Sequence, residues 1–131
     1  MRLLSLLILS HSPDVAKGVK EMCEQMAPEG VLVEAIGGTR DGRLGIDAEM
    51  VFIKLGELVS KTDGVVILGD IGSTIMAAKQ SIELLGSPSK VIIADAPLVE
   101  GSIIATVEAS LGSSIEDVKK RAEEVKFTSK L

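Results

Sequence analysis

The sequence contains few aromatic residues, one cysteine and one histidine. Its 131 residues include no tryptophan or tyrosine, and Phe52 and Phe127 are the only phenylalanines. A site that stacks a flavin ring or a nucleobase on aromatic side chains is therefore disfavoured. A single cysteine, Cys23, cannot form an intrachain disulfide or a thiolate metal cluster. We therefore predict a reducing, cytoplasmic location, a structural role for this thiol and no metal site.

Basic clusters and apolar runs of membrane length are also missing. The formal net charge is -5, from 19 acidic and 14 basic residues, so we predict no nucleic-acid partner. No apolar run approaches the roughly 20 residues that span a bilayer, so we predict no membrane segment. A polar turn follows the mainly apolar residues 3–9 where a signal peptide would have a small-residue cleavage site, which favours a buried strand. The final Ser129-Lys130-Leu131 matches a peroxisomal address, which we interpret as coincidence.

Length and composition predict one globular domain over residues 1–131. Hydrophobic residues make up 46% and charged residues 25% of the chain, and the length allows one core rather than two. Four short apolar runs alternate with segments of helical spacing. The runs are residues 3–9, 31–36, 65–68 and 91–94. The apolar positions with helical spacing are Val15, Val19, Met22 and Met26, then Met50, Ile53 and Leu58, then Ile75, Ala78, Ile82 and Leu85.

Two more helices are expected near the carboxyl terminus. Residues 101–110 form the first, and a capping-box pair, Ser113 and Glu116, opens the second, in which the chain ends. The mixed charges of residues 119–124 are typical of a solvated helix face. Alternating helices and nearly continuous apolar strands predict the α/β class, with an open, mainly parallel, doubly wound sheet and helices on both faces.

In such a sheet, the loops that leave the carboxyl ends of the strands meet at one edge, where ligands bind. His11, the only histidine, follows the first strand and precedes a helix whose first turn carries Pro13. A neutral imidazole is a good nucleophile near neutral pH, although a histidine in this place can also merely complete a turn. The sequence therefore makes His11 a candidate nucleophile.

Asp70 ends the third strand, which is the neighbour of the first strand in the common doubly wound order. Its carboxylate could bond one ring nitrogen of His11, fix the tautomer and stabilise the charged ring. Helix capping is the alternative role of Asp70. Gly72 and Ser73 follow at the start of the third helix, where free N–H groups and the helix dipole favour an anion, although a simple turn and cap fits them too.

Residues 7–12, 69–73 and 96–101 together resemble the mannose-type IIA phosphotransferase family. Residues 37–39 and 96–101 are similar in particular to the phosphotransferase subunits of phosphoenolpyruvate-dependent dihydroxyacetone kinases. The resemblance implies that His11 takes a phosphoryl group from the phosphocarrier HPr, on Nε2. It implies that His11 then passes the group to ADP on the nucleotide-binding kinase subunit. No cofactor is implied beyond this transient phosphohistidine.

The same resemblance assigns the other site residues. Asp70 would be the hydrogen-bond partner of His11, and Gly72 and Ser73 would bind phosphate through backbone groups. The candidate partner or substrate loops contain Gly38, Thr39, Pro97 and Glu100. A homodimer is implied as well.

Three other functions are compatible with parts of the pattern. The chain could be a mannose-type sugar IIA component. It could be a receiver-like switch phosphorylated on Asp70, but such domains need acidic residues after the first strand, where this chain has Ser10, His11 and Ser12. It could also be a non-catalytic, flavodoxin-like nucleotide-binding module that uses Ser10 and Ser12.

Overall fold

A four-stranded parallel sheet forms the centre of the computed structural model, which describes residues 3–27 and 29–131. Its strands are β1 (Leu4–Ser10), β2 (Val31–Gly37), β3 (Gly64–Gly69) and β4 (Val91–Ile93), in the spatial order β2-β1-β3-β4. Every residue of β1 and β3 is buried, because helices cover both faces of these central strands. This burial explains the continuous apolar runs and confirms the predicted α/β class.

Five α-helices and one short 3₁₀ turn cover the two faces of this sheet in the described residues. They are α1 (Pro13–Met26), α2 (Ala48–Lys61), α3 (Gly72–Leu84), α4 (Leu98–Ser110), α5 (Ile115–Glu124) and the 3₁₀ turn Val125–Phe127.

The core has two parts, one on each side of the sheet. Val19 of α1, Ala105 of α4 and Val118 of α5 belong to one buried cluster. Leu55 of α2 and Ala78 of α3 belong to the other cluster. None of the helices in the described ranges is long and apolar enough to cross a membrane.

The structure corrects the predicted inner face of α1. Val15, Met22 and Met26 are exposed, and Met26 is 55% exposed. The buried residues of this helix are Ala16, Val19 and Cys23. Small side chains line the inner face because α1 approaches β2 closely: a Cβ on Gly37 would lie 2.7 Å from the Cβ of Ala16. The burial of Cys23 agrees with the structural role predicted for its thiol.

The predicted faces of α2 and α3 are correct only in part. In α2, Leu58 is buried as expected, but Ile53 is exposed and the inner face is completed by Val51 and Leu55. In α3, Ala78 is fully buried, whereas Ile75 and Ile82 are only partly buried, as is Leu85 directly after the helix. The inner face of α3 consists mainly of small residues, which a search for large apolar side chains does not detect.

Two helix starts also differ from the prediction. Helix α4 begins at Leu98, directly after its N-cap Pro97, and not at residue 101. Gly101 therefore lies inside the helix, where a Cβ would come within 2.7 Å of the Ala96 side chain. The N-cap of α5 is Ser114, whose hydroxyl accepts a hydrogen bond from the N–H of Asp117 at 3.2 Å.

The predicted capping box of Ser113 and Glu116 is therefore wrong. The Ser113 hydroxyl instead donates to Oε1 of Glu108 at 3.0 Å, on the preceding helix. The chain does not end in a helix either, because residues 128–131 follow the 3₁₀ turn without regular structure. Ion pairs of Lys119 with Glu123 and of Arg121 with Glu124 confirm the charged, solvated face of α5.

Candidate functional site

His11 lies at the carboxyl edge of the sheet, between the end of β1 and the first turn of α1. Its backbone carbonyl accepts a hydrogen bond of 2.7 Å from the N–H of Gly45, in the loop that follows β2. Its ring is half-buried, and Nδ1 is shielded from solvent without a hydrogen-bond partner among the described residues. Nε2 also bonds none of them, but unlike Nδ1 it is not fully shielded from solvent.

Asp70 contacts His11, as predicted, but through the backbone. The N–H of His11 donates to both carboxylate oxygens of Asp70, at 3.2 Å each. The expected bond from Asp70 to a ring nitrogen is absent among the described residues, since Nδ1 has no partner. The pairing of β1 with β3 explains the difference. The N–H of Asp70 still bonds the carbonyl of Leu9, so the Asp70 side chain lies beside the backbone of Ser10 and His11.

Two further donors hold the Asp70 carboxylate. They are the hydroxyl of Ser10 at 2.6 Å and the N–H of Ile71 at 2.7 Å. The hydroxyl of Thr74 lies 3.4 Å from Oδ1 of Asp70 but forms its shorter bond, of 2.7 Å, to the carbonyl of Ile71. Partial burial raises the pKa of Asp70, but the hydrogen bonds from Ser10 and from the backbone of Ile71 and His11 outweigh it and hold the pKa below its ordinary value. Asp70 is therefore a fixed carboxylate at neutral pH.

The first turn of α3 presents free backbone donors next to Asp70. The N-cap of this helix is Ile71, which has no side-chain cap, so Asp70 does not take the capping role considered as an alternative. The N–H of Thr74 bonds the carbonyl of Ile71 at 3.0 Å, whereas those of Gly72 and Ser73 bond no described residue. The two exposed N–H groups lie at the positive end of the helix dipole, where an anion is stabilised.

The loop after β2 lies beside His11. The N–H of Gly38 donates to the carbonyl of Ser10 at 3.2 Å, and Gly38 has φ +75, which suits glycine. A Cβ on Gly38 would lie 2.7 Å from the ring of Pro13, so the loop and the start of α1 are in close contact. Thr39 closes the loop, since its hydroxyl accepts from the N–H of Arg43 at 3.1 Å. The structure thus brings Gly38 to the end of β1, whereas the hydrogen bonds of Thr39 to described residues stay within its own loop.

Pro97 and Glu100 are placed differently. Pro97 is exposed at the start of α4, and Glu100 forms an ion pair with Lys130 near the end of the chain. Neither residue shares a hydrogen bond or an ion pair with His11 or Asp70 in the described part of the chain. The loop that precedes them does reach the site, because Ala96 and Asp70 line one groove of about 460 Å³.

Buried hydroxyls are the part of the site that the sequence did not identify. Ser10 and Thr74 are both fully buried; Ser10 bonds Asp70, and Thr74 bonds the carbonyl of Ile71 beside it. The sequence signal for Ser10 is a polar residue at the end of an apolar strand, a position that by itself suggests contact with a ligand rather than support of Asp70. No group of three or more His, Cys, Asp or Glu side chains in residues 3–27 and 29–131 is placed to hold a metal ion.

The chain matches a known protein family over most of its length. The model of the family described as PTS system fructose IIA component matches residues 5–119, which contain His11, Asp70 and the first turn of α3. The chain belongs to this family. The IIA match therefore covers the loops at the carboxyl edge and both core clusters, except for Leu4 and Ala122 of the first cluster.

Among its relatives are phosphoryl donor subunits of dihydroxyacetone kinases. The subunit DhaM of the phosphoenolpyruvate-dependent dihydroxyacetone kinase 2 of Listeria innocua is 36% identical over 118 residues, covering 88% of this chain and 94% of the relative. DhaM of Escherichia coli is 36% identical over 121 residues, but this chain spans only 25% of it. These similarities confirm the resemblance found in the sequence.

Two solved structures share the fold. A crystallised protein of unknown function, EF1359, is 30% identical, with a TM-score of 0.81 and coverage of 94% of each chain. A sigma-54 interaction domain protein of Enterococcus faecalis has a TM-score of 0.64 over 98% of each chain, but at 15% identity it supports the fold alone.

Proposed function

We propose that this IIA protein is a phosphohistidine carrier, one domain over residues 1–131, which takes a phosphoryl group on Nε2 of His11 and supplies it to a dihydroxyacetone kinase. The observation that carries the proposal is the asymmetric environment of the imidazole ring at the carboxyl edge of the sheet: Nδ1 is shielded from solvent, whereas Nε2 is not fully shielded. The similarity to DhaM subunits supports the choice of kinase.

The proposed reaction consists of two phosphoryl transfers. First, the lone pair of Nε2 attacks phosphorus in the phosphohistidine of HPr, and the P–N bond of HPr breaks. Then a terminal oxygen of ADP on the nucleotide-binding kinase subunit attacks the same phosphorus, and the P–Nε2 bond breaks. His11 is regenerated, ATP is formed on the kinase subunit, and no additional cofactor is consumed.

The geometry around His11 suits both steps. Phosphoryl transfer depends mainly on positioning and on stabilisation of charge. For attack, Nε2 must be unprotonated, so the reactive neutral form is the tautomer with its proton on Nδ1. The free N–H groups of Gly72 and Ser73 would bind phosphoryl oxygens, and the negative charge of Asp70 would favour the positive ring of phosphohistidine.

Exposed apolar side chains near His11 favour protein partners. Leu44, which is 69% exposed, precedes the residue that bonds the His11 carbonyl. Ile71, which is 50% exposed, follows Asp70, and Val15 lies in the first turn of α1. Apolar residues around a polar centre are typical of protein interfaces. We propose that HPr and the kinase subunit dock here in turn.

A homodimer in the cytoplasm is part of the same proposal. Met22 and Met26 expose apolar side chains along α1, away from the carboxyl-edge loops. Sedimentation equilibrium of the purified protein should give twice the monomer mass of 13.7 kDa. A monomer at micromolar concentration would contradict the dimer but not the carrier function.

Intact-protein mass spectrometry tests the carrier function. Wild type and His11→Ala are incubated with phosphoenolpyruvate, enzyme I and HPr. We expect one added phosphate in the wild type and none in the variant, with a modification that is labile to acid and stable to base. Addition of the ADP-loaded kinase subunit should remove the phosphate and form ATP. Equal labelling of both proteins would refute a carrier role for His11.

The nature of the label also distinguishes the alternatives. A base-labile acyl phosphate, lost in Asp70→Asn but retained in His11→Ala, would indicate a receiver-like switch. The structure weighs against this switch, because hydrogen bonds already occupy both oxygens of Asp70. A phosphohistidine that transfers to a sugar-permease component but not to ADP would instead indicate a sugar IIA component.

A further inference from the structure

Ser10 connects the two halves of the site from inside the protein. It is the last residue of β1 and its relative exposure is 0%. Its hydroxyl donates to Oδ2 of Asp70 at 2.6 Å and accepts from the N–H of Ser12 at 3.0 Å. One side chain therefore links the end of β3 to the residue that follows His11.

The Ser10 contact completes a set of three bonds to the backbone around His11. The N–H of His11 bonds Asp70, the N–H of Ser12 bonds Ser10, and the carbonyl of His11 bonds the N–H of Gly45. Both peptide groups that flank the α-carbon of His11 are thus held. No hydrogen bond to a described residue holds the ring itself, so its position depends on this backbone.

We propose that Ser10 is a positioning residue for phosphoryl transfer, because its buried hydroxyl joins Asp70 to the backbone beyond His11 and so fixes the direction in which the imidazole projects. The proposal rests on the proposed function of His11. A hydroxyl is suited to this role since it donates and accepts at the same time. Ser10 does not touch the transferred group; it acts through Asp70 and His11.

Removal of the hydroxyl should change the rate more than the affinity for the donor. In Ser10→Ala, Oδ2 of Asp70 loses its shortest hydrogen bond, and the N–H of Ser12 loses its acceptor. Displacement of a reacting group by about 1 Å can reduce a rate by about a hundredfold. We expect the maximal rate of phosphorylation by HPr to fall by about tenfold to a hundredfold. The HPr concentration at half-maximal rate should stay unchanged, because Ser10 is buried.

Ser5 provides a matched control within the same strand. It is also 0% exposed, and its hydroxyl bonds that of Thr62 at 3.0 Å and the carbonyl of Gly64 at 3.2 Å. These bonds lie at the opposite end of β1 from His11. Ser5→Ala should therefore lower the stability of the fold to a similar extent and leave the phosphorylation rate within about twofold of wild type.

The experiment combines phosphorylation rates with amide hydrogen exchange measured by NMR. Wild type should protect the amides of His11 and Ser12. In Ser10→Ala, the Ser12 amide should lose its protection and phosphorylation of the protein should become slower. Ser5→Ala should show neither change. Ser10→Cys keeps the shape of the side chain with a larger atom in place of the hydroxyl oxygen, but the thiol bonds only weakly, so this variant should behave like Ser10→Ala and replaces it if the alanine variant does not fold.

Several results would overturn the proposal. They are a normal rate in Ser10→Ala or Ser10→Cys, an equal loss of rate in Ser5→Ala, or an unprotected Ser12 amide in the folded wild type. Failure of the proposed function gives a different result, because wild type would then carry no label on His11. The exchange measurement would still show in that case whether Ser10 holds the backbone.

Discussion

Asp70→Asn tests whether the carboxylate stabilises the carboxyl edge of the sheet as the geometry indicates. Asp70 accepts on both oxygens, from the hydroxyl of Ser10 and from the N–H groups of His11 and Ile71. An amide has one acceptor oxygen, so at least one donor loses its partner and the remaining bonds lose their charge assistance. A hydrogen bond to a charged group contributes about 1.5–3 kcal/mol. Since Asp70 is partly exposed, water compensates in part, and we expect a loss of about 2 kcal/mol.

Urea unfolding of the variant and of a control measures this loss. Asp63→Asn is the control: Oδ2 of Asp63 accepts one bond, from the N–H of Leu3 at 2.6 Å, which an amide oxygen can also accept. Its free energy of unfolding should fall by less than about 1 kcal/mol, because one bond loses its charge assistance but no donor loses its partner. Equal stability of the two variants would refute the role assigned to the Asp70 carboxylate.

The pH dependence of the free energy of unfolding provides a second test of the same role. Because the pKa of Asp70 is lowered from 3.8 in the folded state, the ionised form stabilises the fold above that value. This contribution is lost as the pH falls through the lower pKa of the folded protein. The stability difference between wild type and Asp70→Asn should therefore be constant from pH 7 to about pH 5 and shrink below about pH 4. A difference that grows on acidification would contradict the assignment.

Three further comparisons test the close contacts and the docking surface. Gly38→Ala should lower the free energy of unfolding in urea by about 2–3 kcal/mol, since φ of Gly38 is +75 and a Cβ would lie 2.6 Å from a carbonyl oxygen. Gly42→Ala should lower it by only about 1 kcal/mol, because Gly42 has φ +85 but a Cβ there would enter open space. Gly101→Ala should destabilise by about 1–2 kcal/mol, because a contact of 2.7 Å outweighs the gain in helix propensity. Gly18→Ala should stabilise the fold by about 0.5–1 kcal/mol, because a Cβ at this position meets nothing within 4 Å. Stabilisation by Gly101→Ala together with destabilisation by Gly18→Ala would refute this reasoning. Leu44→Ser should leave stability within about 0.5 kcal/mol but raise the HPr concentration at half-maximal phosphorylation, and an unchanged value would remove Leu44 from the docking surface.

The sheet was predictable because its central strands are buried on both faces. Burial requires uninterrupted apolar runs, and these runs are visible in the sequence without further information. The faces of the helices were less predictable, because α1 approaches the sheet through Ala16 and Cys23 rather than through its larger side chains. Large exposed residues such as Met26 then produce the helical spacing that the sequence shows. A pattern search weighted by side-chain size cannot separate these two faces.

For the site, the sequence predicted which residues meet but not which atoms. Parallel strands place their carboxyl ends at one edge, so His11 and Asp70 had to be close once β1 and β3 were neighbours. The contact itself depends on the register of β1 and β3, in which Leu9 pairs with Gly69. That register places the Asp70 carboxylate opposite the peptide of His11 rather than its ring. Register is a property of paired strands, so it cannot be derived from either strand alone.

This arrangement assigns positioning and reactivity to different groups. If Asp70 bonded the ring of His11, its loss would change the nucleophile directly. In this structure Asp70 bonds the backbone, so its substitution should slow phosphoryl transfer by displacing the ring and should leave Nε2 chemically competent. Phosphorylation of Asp70→Ala at a reduced rate, with the label still on His11, is the expected result in the mass spectrometric assay. Complete loss of labelling in a folded Asp70→Ala would show that the carboxylate acts on the imidazole itself, and that the ring turns toward Asp70 during transfer.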